Sequence, residues 1–143
     1  MKNDDVGCLI KLISDRMRAQ GDSDLRQYDL TFSQVRILSY LHHYGPEVTQ
    51  KEIGVYLDVA HPTVVGLVSR LEKNGFVECH TDSRDRRNKR IRLAPKAYET
   101  KEKVDEKRRQ NERMMTAGLS GDERQELVRL LRKVYSNYEG GAL

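Results

Sequence analysis

The stretch "AHPTVVGLVSRLEKNGFVECHTDSRDRRNKRIRL", residues Ala60–Leu93, changes its period halfway along. Up to Leu71, the apolar residues Val64, Leu67, Val68 and Leu71 recur at helical spacing and mark one buried helix face. Pro62 suits the first position of that helix, where its missing N–H costs nothing, and Asn74–Gly75 ends it. Beyond Gly75 the pattern alternates. "FVECH" and "KRIRL" read as two strands of a hairpin, with Val77 and Cys79 on one face of the first and Ile91 and Leu93 on one face of the second. The helix face opposite its apolar stripe shows His61, Thr63, Val65, Gly66, Ser69 and Arg70.

The hairpin tip and second strand are cationic. From Asp82 to Arg92 there are six basic residues (Arg84, Arg86, Arg87, Lys89, Arg90 and Arg92) against Asp82 and Asp85. The chain has 26 basic and 22 acidic residues, so the rest of it is balanced and the whole excess of +4 sits in this segment. A purely solvated loop would mix signs as the remainder does. A local cationic excess is what a polyanionic partner selects.

Working outward, two short helices precede the stretch. "TFSQ" and "TQKE" each place a Thr three residues before Gln34 or Glu52, the spacing of a reciprocal cap. The first helix so opened carries Val35, Leu38 and Leu41 and stops at Gly45–Pro46; the second carries Ile53 and Leu57, and "DVA" turns into the helix of Pro62. Helix, short helix, tight turn, helix and hairpin make a winged helix-turn-helix, which puts the Pro62–Asn74 helix in a DNA major groove. His61 and Thr63 would bond bases or phosphates there, and Val65 would touch a thymine methyl.

The ends of the chain are helical too. A first helix starts near Asp4 or Asp5 and runs to about Tyr28, its pattern weakened at Gly21. A long charged helix runs from Pro95 to about Ala117, and "SGDE" caps a last one. Val6, Leu9, Ile10, Ile13 and Met17 have the same offsets as Leu127, Leu130, Leu131, Val134 and Tyr138. Each set is a strongly apolar face that the winged module does not need, and we read both as the interface of a two-fold homodimer. The expected fold is therefore mainly α with a small β-hairpin wing: a winged helix-turn-helix, residues 31–94, plus a helical dimerisation body, residues 1–30 and 95–143.

With 143 residues the chain suits a single modest core. No stretch has the length and apolarity of a membrane span, and the N-terminus does not read as a signal peptide, so a cytoplasmic location without a membrane partner is expected. Two cysteines do not make a disulfide framework. No nucleophile elbow, Gly-rich phosphate loop or HExxH motif is present, so neither an enzyme nor a cofactor is expected.

"LTFSQVRILSYL", "VTQKEIGVYLDVAHPTVVGLVSRLEKNGFVEC" and "DSRDRRNKRIRLAPKA" together resemble the MarR family of bacterial transcription regulators. Its wing motif, Asp-x-Arg-x-x-Arg, is met by Asp82, Arg84 and Arg87. The resemblance implies a homodimer on a pseudo-palindromic site in double-stranded DNA, in most cases as a repressor. It further implies that Arg84 enters the flanking minor groove while Asp82 orients it. Arg86, Lys89, Arg90 and Arg92 would then meet phosphates, and Arg87 would do so or brace the wing. His61 stands where the family favours a small capping residue, and Ala94 and Ala97 replace a Thr and a Gly.

Regulators of this kind are released from DNA by small aromatic or phenolic effectors, by oxidants or by metals. Arg16, Tyr28, His42, His43 and Tyr44 are candidates for an effector pocket, with hinge packing as the alternative. Cys8 is similarly placed to the reactive cysteine of the family's peroxide sensors, although Leu12 stands where those carry a tyrosine. A small buried hydrophobe is the other reading of Cys8. Cys79 reads as structural. The four histidines lack metal-ligand spacing, and no metal site is expected. The rival functional classes are a thiol-based oxidant sensor acting through Cys8 and a winged module that binds proteins.

Overall fold

The computed structural model describes residues 5–139. Asp4, one of the two expected starts of the first helix, lies outside the described residues. Asp5 caps that helix, α1 (Val6–Leu25), by accepting the Cys8 N–H at 3.2 Å. The helix ends slightly earlier than expected. Its last residues tighten into a 3-10 turn, Arg26–Tyr28, because Asp29 takes a left-handed φ of 58° and returns its N–H to the Arg26 carbonyl at 3.0 Å.

Two helices and a short strand follow: α2 (Phe32–Tyr44), β1 (Val48–Thr49) and α3 (Gln50–Leu57). Then come α4 (His61–Lys73), β2 (Val77–Thr81), β3 (Lys89–Leu93), α5 (Pro95–Met115) and α6 (Gly121–Ser136). All three reciprocal caps form, at Thr31/Gln34, Thr49/Glu52 and Ser120/Glu123. This is the expected class, mainly helical with a winged helix-turn-helix.

Two expectations need correction. The hairpin is part of a three-stranded antiparallel sheet ordered β1-β3-β2, with Val48 opposite Ile91. Two residues are too short a strand to show alternation, so β1 left no signal. Pro62 is the second, not the first, residue of α4, whose cap is Ala60. The second N–H of a helix also lacks an internal partner, so proline is tolerated there equally. Gly21, where the pattern weakens, lies within an unbroken helix as expected and is a packing site. It is buried, and a Cβ there would lie 2.8 Å from the Phe32 ring. Beside it, the Asp22 carboxylate accepts the Phe32 N–H at 2.7 Å, which ties α1 to the start of α2.

Residues up to Arg108 form one compact unit and those from Arg109 a second. The first is built around Ile37, Ile53, Val64, Leu71, Phe76 and Ile91, all fully buried. α4 supplies Val64, Val68 and Leu71 from the expected stripe, with Leu67 half-buried beside them. Gly75, at φ 82°, turns the chain so that Phe76 enters this core and its N–H reaches the Leu71 carbonyl at 2.9 Å. Truncating such a buried aromatic costs about 3–5 kcal/mol, so Phe76→Ala would undo the joint between helix and wing. Ala97 and Val104 are the buried residues of α5.

In the second unit the chain reverses at Gly118, φ 87°, and Arg124 pairs with Glu112 at 3.1 Å. No residue of α6 is buried.

Candidate nucleic-acid interface

The exposed face of α4 is the one the period demands. His61, Thr63, Val65, Gly66, Ser69 and Arg70 are all exposed, because the three buried positions hold the helix by its other side. Nothing lies within 4 Å of where a Cβ on Gly66 would be, so no internal packing requires a glycine there. A helix-interior glycine costs about 1 kcal/mol relative to alanine. The backbone at Gly66 is open to close approach from outside. The helix start lacks a side-chain cap, which leaves amide dipole free to meet an anion.

The wing holds its like charges by folding its loop on two aspartates. Asp82 Oδ1 accepts the Arg84 N–H and Asp85 Oδ1 accepts the Arg87 N–H, each at 3.0 Å. Asp82 N–H donates to the Asn88 carbonyl at 3.3 Å, and Asn88 N–H to that of Asp85 at 3.0 Å. These are the local side-chain-to-backbone bonds that aspartate makes in turns. The Arg84 N–H, and then Arg90, hold the Asp82 carboxyl below its ordinary range.

Asp82 therefore reaches Arg84 through the backbone, while its ion pair is with Arg90 (Nε to Oδ2, 3.2 Å). Arg92 is likewise paired, with Glu78 at 2.8 Å. Arg84, Arg86 and Arg87 are exposed and form no ion pair among the described residues. Lys89, also exposed, stands near the Cys79 thiol. The cationic cluster is thus two sets, strand arginines bound to carboxylates and tip arginines facing solvent. Between α3, the start of α4 and the wing tip lies an open cleft of about 640 Å³, lined by Lys51, Val55, His61, Asp85, Arg87 and Asn88.

The apolar end faces are exposed in the single chain. On α1, Val6 is 60% exposed and Leu9, Ile10, Ile13 and Met17 about 40–50%; on α6, Leu127, Leu130 and Leu131 are 40–45% exposed, whereas Tyr138, expected on the same helix face, lies in the turn beyond the end of α6 and is 87% exposed. Val134 is half-buried. Leu12, Val128 and Tyr135 widen the two faces beyond the residues expected from sequence.

The five effector candidates stand in different surroundings. Arg16 is exposed on α1, and Tyr28 packs on the core. His42 is half-buried with its ring edge-on to Tyr98 of α5 at 5.3 Å; burial, and then Lys101, lower its pKa against the pull of Asp105. His43 and Tyr44 are exposed and touch edge-on at 4.5 Å. Tyr44 joins a row that sequence reasoning missed: Tyr40 lies 4.6 Å from both Tyr44 and Tyr56, and Arg36 sits 5.3 Å over the Tyr56 ring.

Both cysteines are free and half-buried. Burial, and then Glu72, push the Cys79 thiol up to about 12, which fits a structural residue. Cys8 lies in the first turn of α1. Among the described residues no three His, Cys, Asp or Glu side chains are grouped to hold a metal, and no helix is long and apolar enough to cross a membrane.

A MarR family model matches residues 28–88. The fold is shared with solved structures across nearly the whole chain. A MarR transcriptional regulator from Methanosarcina mazei superposes with TM-score 0.87 at 18% identity, over 94% of this chain and 96% of that one. A MarR protein from Peptoclostridium difficile gives 0.85 at 22% identity, over 98% and 92%. The S. aureus MepR–DNA complex gives 0.79 at 26% identity, over 96% and 99%.

Proposed function

From the match of a MarR family model to residues 28–88, we propose that this protein is a sequence-specific DNA-binding transcription regulator, a repressor released by a small effector. α4 enters the major groove, with His61, Thr63, Val65, Gly66, Ser69 and Arg70 on its contacting face. Arg84 enters the flanking minor groove, where a narrow A·T-rich stretch concentrates negative potential. Arg86, Arg87 and Lys89 meet phosphates, which set register and not sequence. The observation that carries this reading is the wing tip, a folded loop whose arginines form no ion pair with a carboxylate among the described residues. The MepR structure, solved with DNA, has the same fold and supports it.

Residues 31–94 are the DNA-binding module in this reading, and residues 1–30 and 95–143 form the dimer body through the exposed faces of α1 and α6. Two copies then present two α4 helices to half-sites centred about 34–36 Å apart. The effector is a small aromatic or phenolic compound, and His42, next to α5, is the candidate residue that a ligand would reach between module and body.

The test is a mobility shift on DNA from the protein's own upstream region, over a salt series. A DNA reader loses affinity steeply with salt and prefers a palindromic site. Weak binding that ignores sequence would point instead to a winged module that binds proteins. For the dimer, Leu130→Glu should convert the species seen by sedimentation to monomer; a variant that stays dimeric would remove α6 from the interface.

A further inference from the structure

Three side-chain pairs lie on the polar face of the sheet. Glu78–Arg92 and Asp82–Arg90 stay inside the β2–β3 hairpin. The third leaves it: His80 Nε2, on β2, lies 3.2 Å from Glu47 Oε1 in the segment between α2 and β1. Glu47 follows directly on Gly45–Pro46, where α2 ends, and the last turn of α2 carries His42 against α5. The contact therefore joins the end of α2 to the root of the wing, four residues before Arg84.

We propose that Glu47 and His80 are positioning residues for the wing, a brace that tightens when the imidazole is protonated. The proposal rests on the reading of the wing tip as a DNA contact. The charged groups around His80 single out one partner. Arg90 stands opposite it on β3, and Glu78 and Asp82 flank it two residues away on either side. Glu78 and Asp82 are already held by Arg92 and Arg90. Glu47 has no arginine or lysine partner among the described residues, so a proton on His80 finds its countercharge there. Of the three pairs, only this one contains a side chain type whose charge changes between pH 5 and 8. With a neutral imidazole the contact lacks the attraction of opposite charges, which the cation supplies.

The experiment uses the full-length protein and the variants His80→Gln, Glu47→Gln and the double variant, at about pH 6 and about pH 8 with fixed ionic strength. Operator affinity is read first. Each single variant should bind about two- to fivefold more weakly than wild type at the lower pH, the size of a partly exposed pair, and less so at the higher pH. The double variant should lose no more than either single one, because both remove the same contact. A His80→Gln profile that superimposes on wild type, or losses that add at both pH values, overturns the proposal.

Backbone hydrogen exchange of residues 81–89 in the free protein is read second. Those amides should exchange faster in the variants at the lower pH, with exchange in the core helices unchanged. Equal exchange in all four proteins overturns the brace. This arm needs no DNA, so it decides the inference even if wild type bound no operator, a result that would sink the proposed function instead.

Discussion

The strand arginines and the tip arginines of the wing are the same residue type within nine positions of one another, yet they stand in opposite environments. Arg90 and Arg92 lie on β3, where the register puts a carboxylate within reach: Glu78 is directly opposite Arg92, and Asp82 is held by Arg90. Arg84, Arg86 and Arg87 lie on the loop, where Asp82 and Asp85 spend Oδ1 on backbone N–H groups. The two aspartates fold the loop without neutralising its guanidinium groups. Charge density along a sequence therefore overstates what is on offer to a partner. Pairing decides which cations hold the wing together and which are free to leave it.

Arg84→Ala tests that division most severely. It should cost about 1–3 kcal/mol of operator affinity per lost contact, with the dimer intact by sedimentation. If Arg90→Gln, which removes a paired guanidinium, weakened binding as much as Arg84→Ala, the distinction between tip and strand would fail.

Gly66 extends the comparison to α4, as another position with no internal task. Gly66→Ala should stabilise the fold by about 1 kcal/mol in a denaturant titration while weakening operator binding. The two effects have opposite signs, and that is the point of the measurement. A variant more stable and equally tight would mean that the backbone at Gly66 keeps its distance from DNA.

Arg86→Ala and Arg87→Ala should each weaken binding alike on operator and unrelated DNA. Each removed phosphate contact should lower the slope of log affinity against log salt by about 0.9. The same change at Arg92 should leave the slope nearly unaltered, since Arg92 is occupied by Glu78.

The fold was legible wherever a local rule set it. The caps at Thr31, Thr49 and Ser120 are three-residue spacings, and the face of α4 follows from its period. What escaped depended on partners distant in sequence. Strand β1 exists because Val48 meets Ile91, and Gly21 is required by Phe32. The pairing of Arg90 and Arg92 had a faint signal: aligning Val77 with Leu93 sets Glu78 beside Arg92. Glu47–His80 had none, because it reaches across β3 from a segment whose strand could not be seen.

The smallest expected effect concerns Asp82, where tip and strand meet. Its carboxyl is held below the ordinary aspartate range by the Arg84 N–H first and Arg90 second. A depressed folded-state value means that its contribution is fully present above about pH 3.9, the unfolded reference, and is lost as pH falls through the lowered value. Between pH 8 and pH 5 Asp82 should thus stay ionised and contribute nothing to any pH dependence of the wing. A carboxyl-carbon NMR titration checks this directly, and a midpoint at or above the reference would mean that the loop is not folded on Asp82. Asp82→Asn should then loosen the tip at every pH in that interval, because the amide can accept the Arg84 N–H but cannot hold Arg90 by charge. That separation makes Asp82 the residue through which the paired half of the wing places the unpaired half.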